Sequence, residues 1–216
     1  MSQTAPARTP GVAEITGTIR AAIVSGEFAP NQRLIEADLS DQYGASRATI
    51  RAALFELASE GLVDRMPNRG ARVRAIPLEE AIEILEVRSR LEALCAAKVA
   101  ASASDAERDE FRALRAEIEE AVAAADLFRY SQLHQRMDEL IRAQSGHGTA
   151  VAILERLRAQ GVRHQFRLSF QPGRAAVSAP QHLAIIDAIV DADPERAERA
   201  VREHLADVIE ATRALS

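Results

Sequence analysis

The chain holds one cysteine, no tryptophan and only 4% aromatic residues among 216. One thiol, Cys95, excludes an internal disulfide framework and suits a reducing cytoplasm. It sits among Leu91, Leu94 and Ala96, so a buried, inert thiol is expected rather than a nucleophile. Few aromatics beside 47% apolar residues, rich in Ala and Leu, argue against a β-sandwich and for helices. No uncharged apolar run approaches the roughly 18 residues of a membrane span. The first ten residues, MSQTAPARTP, lack the apolar stretch of a signal peptide and read as a disordered tail, residues 1–10. Several catalytic motifs are missing as well: G-x-S-x-G, H-E-x-x-H, C-x-x-C and any glycine-rich phosphate loop.

What is present is unevenly distributed. The net charge of −5 looks wrong for a nucleic-acid binder until it is divided. Residues 1–76 carry nine Arg against eight acids, for +1, and residues 77–216 carry 18 Lys and Arg against 24 acids, for −6. Within residues 47–74, Arg47, Arg51, Arg65, Arg69, Arg72 and Arg74 face only Glu56, Glu60 and Asp64. A local basic surface is what phosphate binding requires.

Residues 12–25 place Ile15, Ile19, Ala22 and Ile23 at helical spacing, and Gly26 stops the helix. A short helix over 36–43 carries Leu39 and Tyr43 on one face, with Gly44 as its left-handed stop. Ser46 stands at an N-cap position before a helix over 47–60, whose stripe is Ile50, Leu54 and Leu57. Residues 62–65, a Pro67-Asn68-Arg69-Gly70 turn and residues 71–74 read as a β-hairpin. Helix, helix, tight turn, helix and hairpin is the order of a winged helix-turn-helix over residues 11–76. That geometry lays the start of the 47–60 helix in the major groove, with Arg47, Thr49 and Arg51 within about one turn of its end. The Ser46 cap and the helix dipole favour an adjacent phosphate. Asn68-Arg69-Gly70 can enter the minor groove, Gly70 permitting close backbone approach. A solvated arginine-rich face on a generic helix is the plainer reading.

After Pro77 the sequence turns to long Ala/Leu/Glu/Arg segments. Helices are predicted at about 78–102, 105–124, 126–143, 149–170, 176–192 and 194–214, an all-helical bundle over 77–216 able to enclose a cavity. All five histidines lie there: His134, His147, His164, His182 and His204. His134, His182 and His204 are mid-helix beside apolar neighbours in three different helices. They are either unrelated core histidines or a convergent metal site. Three imidazoles with an open fourth position also suit a catalytic zinc, so a metal-dependent enzyme with an accessory DNA-binding-like domain is the second reading.

Taken together these residues resemble the GntR family, in its FadR-type subfamily with an FCD effector domain. Residues 23–30, Arg33-Leu34, Leu39, residues 43–47, residues 50–54, Gly61-Leu62-Val63 and the 67–70 turn follow the signature of the first domain. Glu86-Val87-Arg88, Leu91-Glu92, residues 171–174, and His182 with His204 follow that of the second. The resemblance spans about residues 11–214. It implies a ligand-responsive, dimeric, cytoplasmic regulator that binds double-stranded operator DNA and is not an enzyme. By position it implies DNA contacts at Arg33, Ser46, Arg47, Thr49, Arg51, Arg69 and Gly70. Many relatives have an Arg nine residues before Ser46; here that residue is Ala37. Relatives often hold a divalent metal, with zinc or nickel the best match here, through three histidines and an Asp or Asn. His134, His182 and His204 occupy the histidine positions, but Tyr130 stands where the acid or amide belongs. A neutral phenol of pKa near 10 is a poor ligand, which leaves a three-His site or a metal-free polar pocket. Arg88, with Tyr130 and the histidines, is the expected site for a small organic acid; its alternative is an ion pair with Glu92.

Overall fold

In a computed structural model the stripe of Ile50, Leu54 and Leu57 is buried, and the opposite face of its helix, bearing Arg47 and Arg51, stays in solvent. Burying one face while charging the other fixes the helix's orientation. The structure describes residues 10–66, 69–169 and 171–214, with side chains throughout except at 162–167 and 169. The tail over 1–9, the Pro67-Asn68 half of the hairpin tip and the His164 side chain lie outside the described residues.

The chain divides into two compact units between Ile76 and Pro77. The first runs α1 (Val12–Ser25), β1 (Arg33–Leu34), α2 (Glu36–Tyr43), α3 (Arg47–Ser59), β2 (Val63–Met66) and β3 (Gly70–Val73). Gly26 and Gly44, both left-handed, end α1 and α2 as expected. Ser46 caps α3, its Oγ accepting from Thr49 N at 3.1 Å. Ile15, Ile19 and Ile23 of α1 meet the α3 stripe in the core.

The sheet differs from the expected two-stranded hairpin. It has three antiparallel strands in the order β1-β3-β2, with Arg33 opposite Arg72 and Leu34 opposite Ala71. A two-residue strand carries no periodic signal, and only pairing with β3 makes β1 extended. Gly70 therefore has a structural task before any contact with a ligand. Its φ is +83°, and a Cβ there would lie 2.2 Å from the Leu34 carbonyl oxygen. Gly70→Ala is expected to destabilise this unit by about 2 kcal/mol or more, since left-handed backbone at a non-glycine residue alone costs about 1–3 kcal/mol. Chemical denaturation would measure it; an unchanged midpoint would contradict the packing of β3 on β1.

The second unit is all helical among the described residues: α4 (Leu78–Ser102), α5 (Asp105–Ala123), α6 (Leu127–Gln144), α7 (Gly148–Ser169), α8 (Arg174–Val190) and α9 (Pro194–Arg213). Each begins and ends within two residues of its sequence expectation. A Ser104–Glu107 capping box starts α5, Asp126 caps α6, and Asp193 with Pro194 at the first turn starts α9. α4 packs along α7, α8 and α9, while α5 packs on α6 and α8. Phe111, Leu114, Ile118, Ile186 and Ile189 fill the core. Cys95 is fully buried, and burial pushes its thiol pKa up, as the inert reading requires. No helix among the described residues is long and apolar enough to cross a membrane.

Candidate functional site

The first candidate surface surrounds the start of α3. Ser46, Arg47 and Arg51 are exposed, as are Arg33 on β1 and Arg69 beside β3. Thr49 is half-buried, and its hydroxyl lies 2.8 Å from Ser46 Oγ, so these two hydroxyls first serve each other in the cap. Arg51 is held by Glu36 of α2: Nε lies 3.1 and 3.2 Å from the two carboxylate oxygens and Nη2 lies 2.8 Å from Oε2. That hydrogen bond raises the Arg51 pKa and lowers that of Glu36. Arg51 is thus a pre-oriented guanidinium that still exposes 65% of its side chain. Sequence reasoning missed Glu36, although its place in the first turn of α2 was legible.

Arg33 and Arg72 stand directly opposite on adjacent strands. Like charges so placed repel, and a phosphate between them would relieve that repulsion. Arg65 lies over the exposed Phe55 ring, 5.4 Å from its centroid, and extends the basic surface along α3.

The second candidate site lies inside the helical unit. α6, α8 and α9 bring His134, His182 and His204 together, with candidate ligand atoms all within 4.8 Å of one another. His134 stacks on His182 at 4.1 Å between centroids, and His182 Nε2 is 3.3 Å from His204 Nε2. His147, the fourth described histidine, instead serves the start of α7, where its Nδ1 accepts from Ala150 N.

Tyr130 is not aimed at the point where the imidazoles meet. Its hydroxyl lies 2.8 Å from Nδ1 of His182, behind that ring, and 2.7 Å from Ser178 Oγ. Ser178 Oγ donates to the Arg174 carbonyl at 3.1 Å, and His204 Nδ1 lies 2.8 Å from Gln181 Oε1. One hydrogen placement satisfies all four contacts. His182 Nδ1–H donates to Tyr130, Tyr130 donates to Ser178, Ser178 donates to the carbonyl, and His204 Nδ1–H donates to Gln181. In that placement neither Nε2 of His182 nor that of His204 carries a proton, so their 3.3 Å contact is not a hydrogen bond and both lone pairs stay free. Burial pushes the Tyr130 pKa up to about 12, so it stays a neutral phenol.

Burial also pulls His204 down to about 3 and holds His134 and His182 below the ordinary imidazole value, His182 well below it. Neutral rings are the form a metal needs. They also make the unit acid-sensitive. An unfolded histidine titrates near 6.5, so below that pH the unfolded chain binds more protons than the folded one. The stability these rings contribute is whole above pH 6.5 and drains as pH falls toward 3. The melting temperature of metal-free protein is expected to be level from about pH 7 to 8 and to fall through that lower window, less steeply in His204→Gln. Equal slopes for the two proteins would contradict the burial of His204.

These histidines line a cavity of about 90 Å³ measured to water centres. Since about 15 Å³ on that measure holds one water, there is room for a small organic molecule. Arg88 lines the cavity, with 4% of its side chain exposed, and its Nε donates to Glu92 at 2.8 Å. The ion pair weighed as its alternative therefore exists. Sequence reasoning missed Asp138, Arg142, Arg158 and Arg174. Asp138 lies 3.7 Å from His134 Nε2 and is paired with Arg158 at 2.5 Å. Burial opposes ionisation of Asp138, but Arg158 and then His134 outweigh it and hold the carboxyl well below its usual range. Asp138 follows His134 by one turn and was readable. Arg158 arrives from α7, which only packing brings close.

A capped, arginine-bearing helix backed by a β-wing, joined to a helical unit with a histidine-lined cavity, defines a two-domain DNA-binding regulator. The bacterial regulatory proteins, gntR family, model matches residues 12–73, and the FCD domain model matches residues 83–207. The chain belongs to the GntR family of transcriptional regulators, in the branch carrying an FCD domain. It is 30% identical over 203 residues to an HTH-type transcriptional regulator of Streptomyces ambofaciens, covering 87% of this chain and 78% of that one. It is 24% identical to the HTH-type transcriptional repressor RspR of Escherichia coli, covering 93% and 88%. The solved structure of E. coli McbR/YncC shares the fold, with a TM-score of 0.78, 18% identity and coverage of 96% and 99%. These families and relatives are transcriptional regulators, which sets aside the metal-dependent enzyme.

Proposed function

We propose that this chain is a ligand-responsive repressor that works in the cytoplasm. Two copies form a symmetric homodimer, and their α3 helices address two half-sites of a pseudo-palindromic operator. The observation that carries this reading is the exposed Arg47–Arg51 pair at the capped start of α3 in a chain of this family. Arg47 and Arg51 read base edges or phosphates, Arg33 and Arg69 hold the backbone, and Gly70 keeps the wing on β1. Ser46 and Thr49 present the helix N-terminus to a phosphate. Ala37, in place of an Arg, removes one contact and shifts operator preference. The sign of regulation follows the relative RspR, named a repressor.

In the second domain, a small organic acid enters the cavity and a divalent ion, zinc or nickel, is held by His134, His182 and His204. The three neutral nitrogens fit such an ion. When bound, it would supply a Lewis-acid anchor for an effector oxygen. Tyr130 fixes the His182 ring from behind, so its place at the acid position does not disqualify the site. Effector binding alters DNA affinity only if it favours one arrangement of the dimer, by a coupling of about 1–3 kcal/mol.

The deciding experiment is a gel shift with full-length protein and DNA upstream of its own gene, over a salt series. Specific, salt-sensitive binding is expected. Equal affinity for that DNA and for unrelated duplex would refute the reading.

A further inference from the structure

Resting on the effector reading above, we propose that the effector carries two anionic groups, received by Arg174 and Arg142 from opposite sides of the three imidazoles. Arg174 opens α8 and lines the cavity, with only 10% of its side chain exposed. Its Nη1 is paired with Asp207 at 2.5 Å, but its Nη2 is buried and has no hydrogen-bond partner among the described residues. A buried guanidinium N–H without an acceptor is destabilising, and a ligand carboxylate is the acceptor whose geometry matches it.

Arg142, on α6, also lines the cavity and is half-buried. Of the acids that act on it, Asp138 is engaged by Arg158 and Glu92 by Arg88, while Glu139 stands exposed on the same helix and forms no ion pair with it. No ion pair of Arg142 itself is found among the described residues. Burial, and then repulsion from Arg158, weaken its hold on its proton, as expected of a cation short of a counterion.

Helix spacing argues against one carboxylate serving both arginines. His134 stacks on His182, while Tyr130, one turn before His134, bonds Ser178, one turn before His182. α6 and α8 therefore run parallel past the cluster. Arg174 starts two turns before His182 and Arg142 two turns after His134, each about 12 Å along its helix. They approach from opposite ends, with the imidazoles between. A monoacid engages one of them; a diacid of suitable length engages both.

The test is calorimetry on the full chain, with and without added zinc, using propionate, butyrate, pentanoate and hexanoate against malonate, succinate, glutarate and adipate. One diacid is expected to bind roughly tenfold tighter, or better, than the monoacid of equal chain length. Arg174→Gln and Arg142→Gln should each reduce it to the monoacid's level, with Arg174→Met, a neutral side chain of similar length, as the substitute if the glutamine variant melts early. Monoacids binding as tightly as diacids, either arginine variant retaining full diacid affinity, or no diacid binding at millimolar concentration would each overturn the proposal. A parallel gel shift separates the two readings. A diacid that binds through both arginines but leaves operator affinity unchanged defeats the regulatory mechanism and spares this assignment.

Discussion

Arg51→Ala is expected to reduce operator affinity by roughly 100-fold or more, because in the proposed dimer one DNA contact is lost in each half-site and the two losses compound. Arg51 is suited to that contact by its bidentate hold on Glu36, which removes the search through rotamers that a free arginine makes on binding. The measurement is fluorescence anisotropy on a labelled operator, beside single-base operator variants. If Arg51 reads a base, the mutant loses discrimination at one position per half-site. If it holds a phosphate, the mutant weakens on all sequences and its salt dependence becomes shallower. Glu36→Gln keeps the guanidinium but loosens it. It should spare binding to random DNA while lowering the ratio of specific to non-specific affinity. Effector binding should be untouched in both, since Arg51 and Glu36 belong to the first unit and the cavity to the second. A mutant that binds the operator as tightly as the parent would remove Arg51 from the interface.

The second large effect is expected at His182. His182→Ala should lower bound zinc or nickel from about one per protomer to near zero, because a site of three protein nitrogens becomes one of two. His182 touches both other imidazoles and carries the Tyr130 hydrogen bond, so no other single residue removes as much of the cluster. Metal content after dialysis, and the rise in melting temperature on adding zinc, report the loss. His204→Gln serves as a second variant of closer volume. Tyr130→Phe provides the contrast: all three nitrogens remain, but His182 loses the partner that fixes its tautomer, and affinity should drop roughly 10- to 100-fold. Full stoichiometry in His182→Ala would place the metal outside this cluster, and zinc that leaves the parent's melting temperature unchanged would argue for a metal-free polar pocket.

Much of this architecture is legible before any coordinates. Ile50, Leu54 and Leu57 declare the buried face of α3, and Ser46 and Gly44 mark its start and the preceding stop. The Asp193-Pro194 and Ser104-Asp105 starts locate α9 and α5 to within a residue. The hairpin strands β2 and β3 are visible, but β1 is not, because two extended residues have no period to detect. The start of α8 is also earlier than the sequence suggests, since left-handed Gly173 lets the helix begin directly after the turn.

Local signals fixed what local physics controls: the helices, their caps, the wing hairpin, the basic face of α3 and three candidate histidines. Apolar periodicity and capping chemistry act over one or two turns, so nearby residues suffice to reveal them. Tertiary packing decided the rest: that the imidazoles converge, that Tyr130 stands behind His182, that Arg88 is committed to Glu92, and that Arg174 Nη2 lies buried without an acceptor among the described residues. Those contacts join residues tens of positions apart. Their distances depend on how helices pack side by side, which no spacing along the chain encodes.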